Sequence, residues 1–200
     1  MIIRNLGLQD YTDTWQNMQR YTQERTNDSH DQLWVVEHNP VYTLGLNGKR
    51  EHLLNIGNIP LIQSDRGGQV TYHGLGQLVI YTLFDLKRLQ LNIRELVTLL
   101  ESSMISTLAE YGIIANAKTN APGVYVEEKK IGSIGLRIKK NCSYHGLSLN
   151  NNMNLQPFDH INTCGYSDLK VTQLYDLGVN ISIDKLANSL VRTITTTLSK

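Results

Sequence analysis

The run QLVIYTLF at residues 77–84 most constrains how this chain can fold, because it is apolar at almost every position. A half-buried strand alternates apolar and polar residues, whereas a strand covered on both faces reads as a continuous apolar run. Two shorter strand-like runs, 33–38 and 41–44, precede it and flank the turn signal Asn39-Pro40. The sequence therefore predicts a sheet that includes a fully buried strand at 77–84.

Helical patterns lie towards both ends of the chain and between the strand groups. Aromatic residues and a methionine recur every three or four positions within 10–27. A second helix is predicted to begin after Asn92, with Glu95 completing a capping box, and to end at Gly112. A third is predicted to begin after Ser182, whose hydroxyl can cap it.

Three more strand-like segments, 124–128, 131–139 and 144–149, follow the second helix. The strands cluster without a regular alternation with helices, which predicts an α+β fold with a mixed or antiparallel sheet rather than a doubly wound one. The chain of 200 residues has no repeat and no linker-like stretch, so we expect one domain over 1–200.

The bulk composition argues against several classes of function. A formal net charge of +1 is unlike that of a general nucleic-acid binder. No apolar run approaches the ~18 residues that span a bilayer, and the N-terminus MIIRNLGLQD lacks the apolar core of a signal peptide. Two cysteines, Cys142 and Cys164, are too few for a disulfide framework. We therefore expect a cytoplasmic protein without a nucleic-acid or membrane partner.

The glycine-rich stretch RGGQVTYHGLGQ at 66–77 is the first candidate binding element. Glycines let a backbone approach a ligand closely, and Arg66 and His73 are typical neighbours of polar or anionic groups. The stretch is neither a Walker A loop nor a dinucleotide fingerprint, because it runs into a strand and no lysine follows the glycines. A strand connection without chemistry and a binding loop both stay open from these residues alone.

Two further segments carry reactive side chains. In EEKKIGSIG, Lys129 and Lys130 open a strand, either as a solvated surface pair or with one lysine lowering a neighbour's pKa. In INTCGY, Cys164 lies in a polar segment, which suits a nucleophilic thiol when a cation stabilises its thiolate. Cys142 also lies among polar residues, so this argument does not separate the two. The histidines and cysteines lack zinc-ligand spacing, and we expect neither a metal nor a cofactor.

Six segments then follow one another in a specific order: EHNPVYTLG (37–45), RGGQVTYHGLGQLVIYTLFDL (66–86), PGVYVEEKKIGSIGLRI (122–138), YHGLSLN (144–150), INTCGY (161–166) and LKVTQL (169–174). Together they resemble the lipoyl(octanoyl) transferases, cytoplasmic enzymes that move an octanoyl group from acyl carrier protein to lipoyl domains. The fold of that family is similar to the catalytic domains of biotin protein ligases and lipoate ligases, which agrees with the α+β prediction.

The resemblance implies that Cys164 is the nucleophile that forms an acyl thioester and that Lys130 lowers its pKa. It also implies that three segments hold the acyl substrate, namely Arg66, Gly67, Gly68, Gln69, Val70, Thr71, Tyr72 and His73, then Ser133, Ile134 and Gly135, and finally Gly146, Leu147 and Ser148. We expect the octanoyl tail to lie beside strand residues such as Leu78, Val79 or Leu147.

The implied acyl donor is octanoyl-acyl carrier protein. The implied acceptors are lipoyl domains of 2-oxoacid dehydrogenase complexes and the glycine cleavage H protein. Exchange between thioesters needs a good nucleophile rather than ATP, and the acceptor amine must lose a proton, to Lys130 or to the leaving thiolate. Because both protein partners are expected to be acidic, we expect a steering patch from the basic residues of 127–140, which are Lys129, Lys130, Arg137, Lys139 and Lys140.

The chain departs from the usual family pattern at four positions. Leu75 and Thr163 stand where the family usually has proline, Ser148 where it has alanine, and Tyr125 where tryptophan is common. The loss of proline beside Cys164 removes a fixed φ that would help to orient the nucleophile.

Three other functions stay open. An ATP-dependent lipoate or biotin ligase would use the same type of fold without a cysteine nucleophile. A module that only binds lipoyl domains would need neither Cys164 nor Lys130. A Cys-His hydrolase with His145 as its base is the third alternative, without support from the local motifs.

Overall fold

The structure, a computed structural model, describes residues 1–119, 121–166 and 169–199, and of Cys164 it describes the backbone only. The strands of the main sheet are Ile2–Gln9 (β1), Gln32–His38 (β2), Gln77–Leu83 (β6), Asn116–Ala117 (β7), Val124–Val126 (β8), Lys129–Lys139 (β9) and Cys142–Asn150 (β10). Their order across the sheet is β1-β2-β6-β10-β9-β8-β7. β1 runs parallel to β2, and the other neighbouring pairs are antiparallel. This mixed sheet confirms the predicted α+β fold, and β6 is buried at every position.

A second sheet of three strands carries the glycine-rich stretch. Its strands are Val41–Leu44 (β3), Leu61–Gln63 (β4) and Val70–His73 (β5), with β3 in the middle. All four residues of β5 are buried. The sequence pattern does not indicate β5, because its residues read as part of the glycine-rich stretch.

Helices cover both faces of the main sheet. The helices α2 (Ile93–Ala109) and α3 (Ile183–Leu198) pack on one face, where they bury Ile80 of β6. The helix α1 (Tyr11–Glu24) packs on the other face, where it buries Val79. Because neighbouring residues of a strand point to opposite faces, β6 contributes to both apolar cores.

The predicted caps form at two helix N-termini. The Asn92 side chain accepts from the Glu95 N–H (3.0 Å), and the Glu95 carboxylate accepts from the Asn92 N–H (2.7 Å), which completes the capping box. The Ser182 hydroxyl accepts from the N–H of Lys185 at the start of α3. None of the helices within the described ranges has the length and apolarity needed to cross a bilayer.

Two predicted elements end earlier than their patterns indicate. The helix predicted over 10–27 stops at Glu24, because Arg25 turns into an extended conformation and donates to the Asp31 carboxylate. The strand predicted over 124–128 stops at Val126, because Glu127 adopts a φ of 54° and the chain reverses into β9.

Candidate active site

A pocket lies between the glycine-rich stretch and the α1 face of the main sheet. The stretch and β5 form one side, and residues of β6, β9 and β10 form the floor. Of the predicted substrate-binding residues, all but Gly67 and Tyr72 line this pocket. The structure thus brings together three segments that lie far apart in the sequence.

The floor of the pocket is built from small residues in register. Gly146 of β10 lies opposite Gly135 of β9, and two positions further along Ser148 lies opposite Ser133. On its other side Gly146 pairs with Tyr81 of β6. A methyl group on Gly146 would lie 2.1 Å from the carbonyl oxygen of Ile80, and one on Gly135 would lie 3.1 Å from the carbonyl oxygen of Gly67. Glycine at these two positions therefore lets neighbouring backbone approach the floor closely.

A buried guanidinium shapes the glycine-rich stretch. Arg66 donates to the hydroxyl of Thr43 on β3 and to the carbonyls of Gly67 and Gln69 (both 2.8 Å). The N–H of Gly67 donates to the carbonyl of Leu136 on β9 (2.8 Å). Because these hydrogen bonds join the second sheet, the stretch and β9, they fix the width of the pocket.

Three of the expected positions do not line the pocket, namely Gly67, Tyr72 and Leu78. Tyr72 points into the core of the second sheet, where its ring packs against Tyr42 and Phe158. Leu78 lies in the core beneath α2 and α3, on the opposite face of the sheet, so its expected place beside the acyl tail is wrong. Val79 does line the pocket, because alternate residues of a strand face opposite sides.

Lys130 lies near the start of β9 and is 2% exposed. Its ammonium donates to the carbonyl of Pro122 (2.8 Å) and lies 5.4 Å from the centroid of the Tyr125 ring. Gly123 adopts a φ of +129°, and a methyl group at this position would lie 2.7 Å from Cε of Lys130. The glycine therefore makes room for the lysine. Because Lys130 is buried, its expected place in a surface steering patch is wrong.

Cys164 lies in the short 3-10 turn Thr163–Gly165, and its side chain is outside the part of the chain that the structure describes. The turn borders the pocket, since a methyl group on Gly165 would lie 3.4 Å from Cγ of Gln69, a pocket residue. Past this turn the chain returns to β9, where Val171 forms a parallel bridge with Lys130. The segment around Val171, which follows the turn in the sequence, is therefore a neighbour of Lys130.

The other cysteine, Cys142, begins β10 and does not line the pocket. Burial raises the pKa of its thiol. A raised pKa reduces the thiolate fraction, which makes Cys142 a poor nucleophile.

No sequence motif indicated Asp65, whose carboxylate joins α1 to β10 beside the pocket. The Asp65 carboxylate accepts from Trp15 (2.7 Å) and Gln19 (3.0 Å) of α1 and from Tyr144 and His145 (2.8 Å) of β10. Burial favours the neutral acid, but the hydrogen bonds from His145, Tyr144 and Gln19 outweigh it and lower the pKa of Asp65. Asp65 thus holds α1 and β10 at the entrance of the glycine-rich stretch.

His145 owes its place to an unusual backbone conformation. Its φ is 59°, which turns its ring to the same face as the ring of Tyr144, 5.1 Å away. Histidine is among the few residues found repeatedly in this left-handed region. Tyr11, which no motif indicated, lies between the rings of His145 (6.5 Å) and His73 (5.8 Å).

The three buried histidines near Tyr11, namely His38, His73 and His145, are neutral at physiological pH. Burial lowers the pKa of His73 to about 3 and that of His38 to about 4. Burial also lowers the pKa of His145, although its hydrogen bond with Asp65 opposes the change. Within the described ranges, no three His, Cys, Asp or Glu side chains converge in a way that would hold a metal ion.

The chain matches the family model of the lipoyl protein ligase A/B catalytic domain over residues 10–195. It is 54% identical to an octanoyltransferase of Laribacter hongkongensis, over all of this chain and 97% of that protein. The chain belongs to the octanoyltransferase family. An octanoyltransferase of Shewanella oneidensis is 55% identical over 96% of this chain and 88% of its own length. Octanoyltransferases are acyltransferases, so the chain is an enzyme of this class.

Solved structures of more distant proteins share the octanoyltransferase fold. A lipoate-protein ligase A bound with ATP superposes with a TM-score of 0.82 at 17% identity, covering 98% of this chain and 85% of that one. A biotin protein ligase from Aquifex aeolicus superposes with a TM-score of 0.61 at 17% identity, covering all of this chain and 69% of that one. The predicted similarity to both ligase folds is confirmed.

Proposed function

We propose that the enzyme transfers an octanoyl group from octanoyl-acyl carrier protein to a lysine of a lipoyl domain through a thioester on Cys164. The observation that supports this most directly is the pocket, whose lining unites the glycine-rich stretch with the Gly135 and Gly146 strands. The turn that carries Cys164 borders the same pocket at Gln69. The proposal places the acyl carbonyl group where this turn meets the pocket.

In the first half-reaction the Cys164 thiolate attacks the carbonyl carbon of the acyl donor. A new C–S bond forms, the C–S bond to the carrier breaks, and the carrier thiolate leaves with a proton supplied by Lys130. The buried ammonium of Lys130 favours ionisation of a nearby thiol, because a positive charge stabilises a thiolate. Backbone N–H groups of the glycine segments stabilise the oxyanion of the tetrahedral intermediate.

In the second half-reaction the lysine amine of the acceptor attacks the acyl-enzyme. A C–N bond forms, the bond to Cys164 breaks, and the proton of the amine leaves with the thiolate or through Lys130. No phosphoanhydride is consumed, because a thioester already carries enough free energy to form an amide. The reduced thiol that this chemistry requires fits a reducing compartment.

Intact mass spectrometry after mixing with octanoyl-acyl carrier protein, without ATP, tests this function. We expect an octanoyl adduct on the wild type and on Cys142→Ala and none on Cys164→Ala. Lys130→Met is expected to acylate more slowly and to require a higher pH, because the thiol loses its stabilising charge. An adduct on Cys164→Ala, or a requirement for ATP in the wild type, would refute the mechanism.

A further inference from the structure

A chain of buried amides connects the pocket with the segment that follows the Cys164 turn. Nδ1 of His73 lies 2.7 Å from Oε1 of Gln77. Nε2 of Gln77 lies 2.9 Å from Oδ1 of Asn150 and 3.2 Å from the carbonyl oxygen of Tyr72. Nδ2 of Asn150 lies 3.0 Å from the carbonyl oxygen of Thr172. Each of these side chains is less than 10% exposed.

Hydrogen-bond chemistry determines the direction of every bond in this chain. A backbone carbonyl only accepts, so the Thr172 oxygen fixes the amide of Asn150 with its NH₂ group towards Thr172 and its oxygen towards Gln77. The Gln77 NH₂ group must then face Asn150, as the Tyr72 carbonyl also requires. The remaining Gln77 oxygen faces His73 and accepts, so Nδ1 of His73 carries the proton.

In this tautomer Nε2 of His73 carries a lone pair and no proton. Nε2 has no hydrogen-bond partner among the described residues, and it is not one of the unpaired side-chain atoms that are fully buried. His73 lines the pocket in which the acyl group is held under the proposed function. The pocket therefore contains a neutral hydrogen-bond acceptor, Nε2 of His73, whose orientation is fixed by the hydrogen bond between Nδ1 and Gln77.

The second half-reaction requires such a group, because an attacking amine must present its own lone pair to the carbonyl while an N–H points elsewhere. Resting on the proposed function, we propose that Nε2 of His73 accepts a hydrogen bond from the lysine amine that attacks the acyl-enzyme. Gln77 is then a positioning residue that holds His73 in the accepting tautomer. The first half-reaction brings no amine, so it does not need this acceptor.

The surroundings of His73 keep it an acceptor over the working pH range. The ring of Tyr11 stacks on the ring of His73, and the ring centroid of His38 lies 6.0 Å from that of His73. The positive charge of Arg66 and the ring of His145 also lie close enough to act on His73. Burial is the main reason that its pKa falls to about 3, and both His38 and Arg66 add to the effect. Protonation would turn Nε2 into a donor that repels an amine.

The amide chain also ties this acceptor to the catalytic elements. The N–H of Thr172 donates to the carbonyl of Lys130 (2.9 Å), and the N–H of Lys130 donates to the carbonyl of Lys170 (2.8 Å). Asn150 thus bonds to the segment 170–172, which is hydrogen-bonded to the backbone of the predicted catalytic lysine. A shift of that segment would move His73 and Lys130 together.

Separate measurement of the two half-reactions tests the proposal. Acyl-enzyme formation is followed by intact mass spectrometry, and transfer by mixing the isolated acyl-enzyme with a lipoyl domain in a single turnover. We expect His73→Phe to slow the transfer about tenfold more than it slows acyl-enzyme formation, the effect of losing one hydrogen bond of ~1.4 kcal/mol. His73→Gln, whose amide oxygen can accept, is expected to restore most of that loss. His30→Phe, the same change at an exposed histidine, is the control.

Unchanged transfer in His73→Phe, equal losses in both half-reactions, or equal losses in His73→Phe and His73→Gln would overturn the proposal. If the wild type forms no acyl-enzyme, the proposed function fails instead, which this design distinguishes. Long-range ¹H–¹⁵N spectra of histidine-labelled wild type provide an independent measurement. We expect the Nδ1-protonated form of His73 at pH 7, and the Nε2-protonated or cationic form would overturn the proposal.

The role of Gln77 is tested with Gln77→Met, which keeps the length of the side chain and removes its polar atoms. We expect slower transfer and a mixture of His73 tautomers in the same spectra. In the His73→Gln background, which has no tautomer to fix, Gln77→Met is expected to slow the transfer little further. Equal effects in both backgrounds would show that Gln77 acts only on general packing and would overturn its positioning role.

Discussion

Acidification should destabilise this enzyme through two buried histidines. His38 donates from Nδ1 to the carbonyl of Gln9 and accepts at Nε2 from the Tyr81 hydroxyl, and His73 is held by Gln77. Burial lowers the pKa to about 4 for His38 and about 3 for His73. In the unfolded chain both titrate near ~6.5. The unfolded chain therefore takes up two protons between pH 6.5 and pH 4 that the folded chain does not bind.

The sign and size of the effect follow from proton linkage. Stability rises with pH wherever the unfolded state binds more protons, so this contribution is lost as pH falls below 6.5. At pH 5 the solution is about 1.5 pH units below the pKa of each histidine in the unfolded chain. Protonation of the unfolded chain therefore lowers the free energy of unfolding by about 2 kcal/mol per ring and about 4 kcal/mol for both. The hydrogen-bonded carboxylates of Asp31 and Asp65 have lowered pKa values, so their contributions are lost only below about pH 4.

Urea unfolding at pH 7, 6 and 5 measures this effect, with the midpoint and the slope fitted at each pH. We expect His38 and His73 together to account for a loss of about 4 kcal/mol from pH 7 to pH 5. His145, whose pKa burial also lowers, adds to the loss of the wild type, and His38→Gln or His73→Gln should lose about 2 kcal/mol less than the wild type. His30→Gln, at an exposed histidine, should behave as the wild type. Parallel pH profiles for the wild type and both buried-site variants would refute the assignment of these protons to His38 and His73.

Two other substitutions test the pocket floor and the basic surface. Gly146→Ala should destabilise the protein by about 3 kcal/mol or more, because the methyl group would lie 2.1 Å from the carbonyl oxygen of Ile80. Gly7→Ala, with nothing within 4 Å, should cost only about 1–2 kcal/mol of backbone strain, and equal losses in urea unfolding would contradict this argument. Changing the exposed Lys139 and Lys140 to Glu should raise the apparent KM for octanoyl-acyl carrier protein, more strongly at low salt. An unchanged KM would mean that these lysines do not steer the carrier.

Local signals in the sequence predict those parts of the fold that local chemistry determines. The Asn92–Glu95 capping box and the apolar run of β6 appear in the structure as the sequence indicates. The sequence does not predict β1, because this strand is exposed along most of its length and is held by parallel pairing with β2. The paired residues Ile2 and Gln32 are 30 positions apart in the sequence. Pairing between distant segments leaves no local pattern.

The same limit applies to the pocket. The glycine-rich stretch and the strands of Gly135 and Gly146 are recognisable because their composition is unusual. Asp65 and Tyr11 are not recognisable, since the hydrogen bonds of Asp65 with Trp15, Tyr144 and His145 and that of Tyr11 with Ser64 join residues 50 to 80 positions apart. The only local signal for His145 in the sequence is its place directly before Gly146. Its positive φ is visible only in the three-dimensional structure.

The separation of the pocket walls along the chain has a consequence for folding. Its residues extend from Tyr11 to Ser148, so no fragment that ends before β10 contains the complete pocket. Under the proposed function, a chain still on the ribosome cannot hold a fatty acyl group until β10 has emerged. Its many pairings between distant segments place it among slowly folding topologies. Binding of an acyl ligand by two co-expressed fragments, divided between β6 and β9, would therefore report their reassembly.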